Sequence, residues 1–217
     1  MDVAVVVDFD GTVTEHAVSY MLLERYGRPG WRDLDPRYAA GELTAREVIA
    51  AQFAMIDATD EQIADFSRSH VKIREGFTEF VSHLRGLGYP VAITSEGLDI
   101  YIDPVLDENL VDYVNLFYNE ATRDPEGRLV PQYPHADLDC EDCGNCKSGL
   151  IKALQADGNY VVFIGNGRTD FCPAKYANIV FARDMLARKL QEEGRPFILF
   201  EDFHDILEAW DSVVAHG

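Results

Sequence analysis

The sequence predicts an α/β protein: a doubly wound parallel sheet with a small helical cap inserted after the first strand. Three observations predict it. Short β-branched runs alternate with stretches of helical spacing, the pattern of βαβ units. The first run, Val5-Val6-Val7, ends in two carboxylates one residue apart, Asp8 and Asp10, then Gly11 and Thr12. The stretch 15–74 holds no convincing strand, which separates a helical insert from a core of residues 1–14 and 75–217.

Taken in order, the Val5-Val6-Val7 run is apolar on both faces and so reads as a buried strand. Ala17 to Tyr26 reads as a helix, broken at Gly27-Arg28-Pro29-Gly30. Thr44 with Glu47 forms a capping-box pattern, and Val48, Ile49, Phe53 and Ile56 follow at helical spacing. Thr59 to His70 reads as another helix, with Ile63 and Phe66 on one face. Phe77, Phe80, Val81 and Leu84 mark a helix that ends at Gly86 to Gly88. Val91 to Thr94 is the second core strand, and Leu98 to Leu106 reads as helical. Tyr113 to Tyr118 is a strand, with Arg128 to Val130 as a partner across the Asp124-Pro125-Glu126-Gly127 turn. A helix is expected from Lys147 to Ala156. Strands are expected at Tyr160 to Ile164, Asn178 to Ala182 and Phe197 to Phe200, then a final helix.

The formal charge is −19, from 19 Lys+Arg against 38 Asp+Glu. Such a surface repels nucleic acid and anionic membranes, so neither is expected as a partner. No basic-then-apolar leader is legible and no segment is long and apolar enough to span a bilayer, so a cytoplasmic protein, monomer or homodimer, is expected.

The chemistry sits at the ends of strands, where open α/β sheets bind ligands. Asp8 and Asp10 repel each other unless a cation or a shared proton intervenes. That suits magnesium-assisted phosphoryl transfer, with Asp8 as nucleophile and Asp10 as general acid/base. Ser95-Glu96-Gly97 follows the second strand and offers a hydroxyl and free backbone N–H groups for phosphate. Lys147 opens a helix, an unfavourable place for a cation unless anions lie nearby. Gly165-Asn166-Gly167-Arg168-Thr169-Asp170 supplies a tight turn carrying two oxygen-bearing side chains.

Together these stretches resemble the four motifs of the haloacid dehalogenase-like (HAD) phosphatases, in order and across nearly the whole chain. The helical insert between the first and second is similar to the phosphoserine phosphatase-like branch, subfamily IB. Within it, Trp31, Gly41-Glu42-Leu43-Thr44, Ile73-Arg74-Glu75-Gly76-Phe77 and the cysteines before Lys147 resemble the MtnX-like 2-hydroxy-3-keto-5-methylthiopentenyl-1-phosphate phosphatases. Asp170-Phe171-Cys172-Pro173 also looks like the phosphocholine and phosphoethanolamine phosphatases.

The resemblance implies a HAD-like Rossmannoid core and hydrolysis of a small phosphorylated metabolite through an aspartyl-phosphate on Asp8. It assigns phosphate contacts to Ser95, Glu96, Gly97 and Lys147, and a substrate contact to Glu15; His16, Arg46 and Arg74 are further contacts to the leaving group. Magnesium would lie on Asp8, Asp10 through its backbone carbonyl, Asn166 and Asp170. Asn166 departs from the family, where an aspartate stands. That departure keeps a second reading open: a weakly active protein that binds phosphorylated ligands or regulates. Phosphoserine, phosphocholine and phosphoethanolamine remain alternative substrates.

Cys140, Cys143 and Cys146 repeat at three-residue spacing directly before Lys147, with His135 upstream and Cys172 beyond. In a reducing compartment this favours metal or redox chemistry over a structural disulfide. Three thiolates with His135, or with Cys172 brought near by the fold, would suit tetrahedral zinc, and a zinc-dependent interaction module is a further alternative.

Overall fold

The computed structural model describes residues 2–106, 112–137 and 139–214. Val3–Asp8 forms β1, buried along its whole length. Its side chains alternate between two apolar cores: Val3, Val5 and Val7 enter one and Val6 the other. After β1 the chain makes one wide π-type turn, Phe9–Val13, in which Gly11 takes a φ of 84°.

Four α-helices fall within residues 15–74: α1 (Val18–Tyr26), α2 (Leu34–Ala39), α3 (Ala45–Phe53) and α4 (Asp60–His70). The short helix α2 carries no apolar stripe and had no signature in the sequence. Thr44 caps α3 and Thr59 caps α4, each through a complete capping box, as the Thr44/Glu47 spacing requires. The insertion leaves and rejoins the core at one place. Thr14 and Ile73 pair as an antiparallel bridge. Beside them the buried Arg74 guanidinium donates to the carbonyls of Gly11, Thr12, Thr14, Glu15 and Glu201.

The rest of the chain supplies α5 (Phe77–Leu87), β2 (Val91–Leu98), α6 (Asp99–Ile102), β3 (Val114–Arg123), β4 (Leu129–Gln132), α7 (Lys147–Ala156), β5 (Tyr160–Gly165), β6 (Ile179–Ala182), α8 (Asp184–Glu192), β7 (Ile198–Leu199) and α9 (Phe203–Val214). The seven-stranded sheet has the order β4-β3-β2-β1-β5-β6-β7. All pairings are parallel except β3 with β4, which is the expected hairpin. The expected doubly wound α/β class is therefore what forms. Ile151, Leu186 and Leu190 of α7 and α8 cover one face of the sheet. On the other, α5 and α9 interlock, with the Phe77 and Phe203 rings 4.8 Å apart and Phe80 and Trp210 5.3 Å apart.

Three elements differ in extent from expectation. The strand expected to end at Thr94 runs on to Leu98 with a register shift against β3, so Ser95-Glu96-Gly97 is a bulged strand end rather than a loop. The helix expected over Leu98 to Leu106 is only Asp99–Ile102. The last strand is likewise the two residues Ile198–Leu199 rather than four.

The strand order reverses direction between β1 and β5, and a crevice opens at such a switch point beyond the carboxyl ends of the strands. Asp8 ends β1 there, and Asn166 follows β5.

Candidate active site

Lys147 is the centre of the cluster. It stands at the first residue of α7, 2% exposed, and its ammonium is held between two carboxylates. It donates to Asp8 Oδ1, and to Asp170 Oδ1 at 2.6 Å. Those anions explain a cation at a helix start, because they outweigh the helix dipole. Burial pulls the lysine pKa down, but Asp170 and Asp8 overcome this and hold it above its ordinary value. Asp8 shifts upward, to about 7, first through burial and then through the charge of Asp170, against the pull of Lys147.

Asp170 is fully committed. Its Oδ1 takes Lys147, and its Oδ2 accepts from the Asn166 and Gly167 N–H groups, each at 2.9 Å. Of the roles the sequence allows it, the structure gives it the lysine and the turn, and it does not stand free as a metal ligand. Asn166 lines the cleft, and its Oδ1 accepts from the Thr12 hydroxyl at 3.2 Å. A Cβ on Gly11 would lie 2.5 Å from Asn166 Nδ2, so the close approach of the two loops needs glycine there.

Asp10 is gripped on both oxygens. Oδ1 accepts from the Val18 and Ser19 N–H groups at the start of α1, and Oδ2 from the Tyr101 hydroxyl at 2.6 Å. Burial raises its pKa, opposed by Tyr101 and the α1 amides. Tyr101 carries no sequence signal: it is an aromatic in a short helix, and nothing in the pattern separates it from core. Its hydroxyl comes so close to Gly97 that a Cβ there would lie 2.0 Å away. Ser95 Oγ accepts from Gly97 N–H at 2.9 Å, which leaves the hydroxyl hydrogen free to donate.

These groups open into a cleft of about 320 Å³ between the strand ends and the helical insertion. Leu23, Val48, Ile49 and Phe53 of the insertion, with Met185 of α8, give it an apolar wall. The insertion also brings the polar Ser19, Tyr20, Tyr38 and Gln52 and the acidic Asp35, whose Oδ1 takes the Tyr20 hydroxyl at 2.9 Å and the Gln52 amide at 2.8 Å. Among the described residues lining the cleft, Arg168 is the one basic side chain, and it lies over the Tyr38 ring at 4.7 Å.

The leaving-group contacts expected at Glu15, His16, Arg46 and Arg74 are not found, and none of these residues lines the cleft. Arg74 is spent on backbone carbonyls at the crossing point, and Glu15 bonds Lys72 through its own N–H. The Arg46 guanidinium donates to the Cys143 carbonyl at 2.6 Å. Cys140, Cys143 and Cys146 are free thiols in the segment before α7, with Cys140 and Cys146 within hydrogen-bonding reach of each other. Among the described residues, no three of these thiols and His135 bring their ligating atoms within 4.8 Å of one another. The His135 ring instead packs edge-on against Phe117 at 5.2 Å. Cys172 lies apart, accepting from the Ser148 hydroxyl at 3.1 Å.

The fold and the buried Asp-Lys-Asp cluster at its switch point define a hydrolase of the phosphoryl-transfer type. The chain belongs to the haloacid dehalogenase-like hydrolase family, whose family model matches residues 5–175, and it is a phosphatase. It is 35% identical over 204 residues to a 2-hydroxy-3-keto-5-methylthiopentenyl-1-phosphate phosphatase of Geobacillus thermodenitrificans (strain NG80-2), covering 93% of this chain and 92% of the relative. A protein of the same description from Geobacillus kaustophilus (strain HTA426) is 34% identical over 205 residues, with 93% and 92% covered. Among solved structures, a substrate-bound phosphoserine phosphatase complex superposes with a TM-score of 0.73 at 18% identity, over 96% of this chain and 98% of that one. A phospho-aspartyl intermediate analogue of phosphoserine phosphatase gives 0.72 at 18% identity, over 95% and 98%. At that identity the structures speak for the fold.

Proposed function

We propose that the protein hydrolyses a small phosphomonoester with an uncharged, largely apolar leaving group, of the kind named for its relatives, 2-hydroxy-3-keto-5-methylthiopentenyl 1-phosphate. The observation that carries this reading is the apolar cleft wall. A carboxylate on the leaving group, as in phosphoserine, needs a cation to pair with. The insertion brings none to the cleft, and Arg168 already packs on Tyr38. Residues 15–74 act as a cap that closes over the ester and sheds bulk water.

In this reading Asp8 attacks phosphorus in line and takes the phosphoryl group. Asp10 protonates the departing oxygen, then takes a proton from the water that hydrolyses the aspartyl-phosphate. Its raised pKa suits a group that must arrive protonated. Tyr101 and the α1 amides hold that carboxyl in place, and Ser95 donates to a phosphoryl oxygen. Lys147 offsets charge on Asp8 and the phosphoryl group.

The donors at the crevice, the Asp8 carboxylate, the Asp10 carbonyl and Asn166 Oδ1, are hard oxygens that fit magnesium. When bound, magnesium supplies positive charge that favours ionised Asp8 and neutralises the phosphoryl oxygens. Asn166 contributes no charge to that set. Asn166→Asp is therefore expected to tighten magnesium by about tenfold or more, measured by calorimetry without substrate. An unchanged affinity would remove Asn166 from the ligand set.

The test of function is phosphate release from a panel of the methylthiopentenyl ester, phosphoserine, phosphocholine and phosphoethanolamine, with magnesium or with EDTA. The expected result is release that EDTA abolishes, with kcat/KM for the methylthiopentenyl ester at least about 100-fold above phosphoserine. Preference for phosphoserine would overturn the reading of the apolar wall. Magnesium-dependent binding of the esters without turnover would favour a phosphate-ligand-binding protein.

A further inference from the structure

The side chain of Glu96 is an unusual thing to find in a phosphate-binding loop. It is 8% exposed, and it sits between Ser95 and Gly97 at the rim of the cleft. Its Oε2 accepts from the Gly144 N–H at 3.0 Å and the Asn145 N–H at 3.2 Å. Its Oε1 is buried and has no hydrogen-bond partner. The neighbouring Asn119 side chain faces the carboxyl; its amide donates to the Glu96 main-chain carbonyl at 2.9 Å, and its Oδ1 is likewise buried without a partner.

Gly144 and Asn145 belong to the segment that leads directly into Lys147. The Asn145 side-chain amide reaches back to the Ser95 carbonyl at 2.9 Å and to that of Phe117. The phosphate loop and the lysine segment are thus stapled together, with the Glu96 carboxyl as the main staple.

An ionised carboxylate would be costly in this position. Its bare Oε1 would lie out of water, at the edge of a site that must accept a phosphate dianion. The groups facing Glu96 do not neutralise it. Lys147 on α7 is already shared by Asp8 and Asp170, while Tyr133 and Cys143 before α7 and Tyr38 on α2 carry no positive charge. A neutral acid fits each observation. Oε2 is then the carbonyl-type oxygen that accepts two N–H groups, and Oε1 bears the proton.

We propose that Glu96 works as a neutral acid clamp, a positioning residue that fastens the Lys147 segment to the phosphate loop without adding negative charge beside the bound ester. The inference rests on the phosphomonoesterase reading and adds a residue role to it. Burial pushes the Glu96 carboxyl up to about 7, against the pull of Lys147, of the Asn145 and Gly144 amides and of the Asn119 side chain, so the clamp is charged at alkaline pH.

The experiment compares wild type, Glu96→Gln and Glu96→Ala in kcat and KM from about pH 5.5 to about pH 9, with thermal melting over the same range. In wild type, KM is expected to climb on the alkaline side by up to about tenfold per pH unit, with kcat moving less. Glutamine copies the neutral acid. Glu96→Gln should keep its KM flat there and recover most of what Glu96→Ala loses. The melting curves carry an independent sign. A carboxyl whose pKa is raised on folding costs stability as pH rises through that interval, so Glu96→Gln should gain on wild type between about pH 5 and about pH 8.

A Glu96→Gln enzyme as impaired as Glu96→Ala, or one sharing the wild-type alkaline rise in KM and the wild-type melting profile, would overturn the clamp. If wild type turns over no ester, the phosphatase reading fails by itself, and the melting comparison still decides the protonation state of Glu96.

Discussion

Asp8→Asn is expected to lower phosphomonoester turnover by about 10⁴-fold or more while the protein stays folded. Asparagine keeps the shape of the side chain and removes its nucleophilic oxygen. The fold should tolerate the change because Lys147 retains Asp170, whose geometry does not depend on Asp8. Burial and Asp170 both oppose ionisation of Asp8, so loss of that charge relieves repulsion inside the cluster. Melting at neutral pH should therefore be equal to or above wild type. Acid-quenched reactions should contain phosphorylated protein for wild type and none for the variant. Residual turnover above about one per cent would mean that Asp8 is not the group attacked onto.

Lys147→Met should have the largest effect on stability. It leaves Asp8 and Asp170 facing each other in a site from which water is excluded, 5% and 0% exposed. Removing one partner from a buried ionic cluster costs about 3–5 kcal/mol. Without the ammonium, Asp8 loses the pull that opposes its burial and takes up a proton on folding. The deficit is therefore fully present at alkaline pH and shrinks as pH falls through the raised Asp8 pKa. Urea denaturation at about pH 8 and about pH 5.5 reads the difference directly. A variant as stable as wild type at the higher pH would contradict the view that Lys147 is what makes the cluster tolerable.

Much of this was legible in the chain. The strands announce themselves through β-branched runs, and Asp8, Ser95 and Asn166 each stand at the end of such a run, which is why sequence alone sets them at one edge. Lys147 was legible through an incongruity, a cation where a helix dipole disfavours one. What stayed hidden depends on partners that sequence does not encode. Arg74 reads as a ligand for a phosphate ester, yet its acceptors are five main-chain carbonyls. Arg46 is hidden in the same way by the Cys143 carbonyl. Tyr101 looks like core because its ring is core, and its hydroxyl alone has a role. For α3, the spacing of Val48, Ile49 and Phe53 announced a buried face, but spacing cannot tell a face packed on the sheet from one that walls a cleft.

The bridge between Thr14 and Ile73, locked by Arg74, has an evolutionary meaning. Both ends of the insertion meet the core at a single anchored doorway. Helices can therefore be lengthened, trimmed or exchanged beyond it with little disturbance to the Asp8–Lys147–Asp170 cluster on the near side. A descendant of this chain could acquire a new diet by rewriting the segment beyond the doorway while inheriting the hydrolytic apparatus intact.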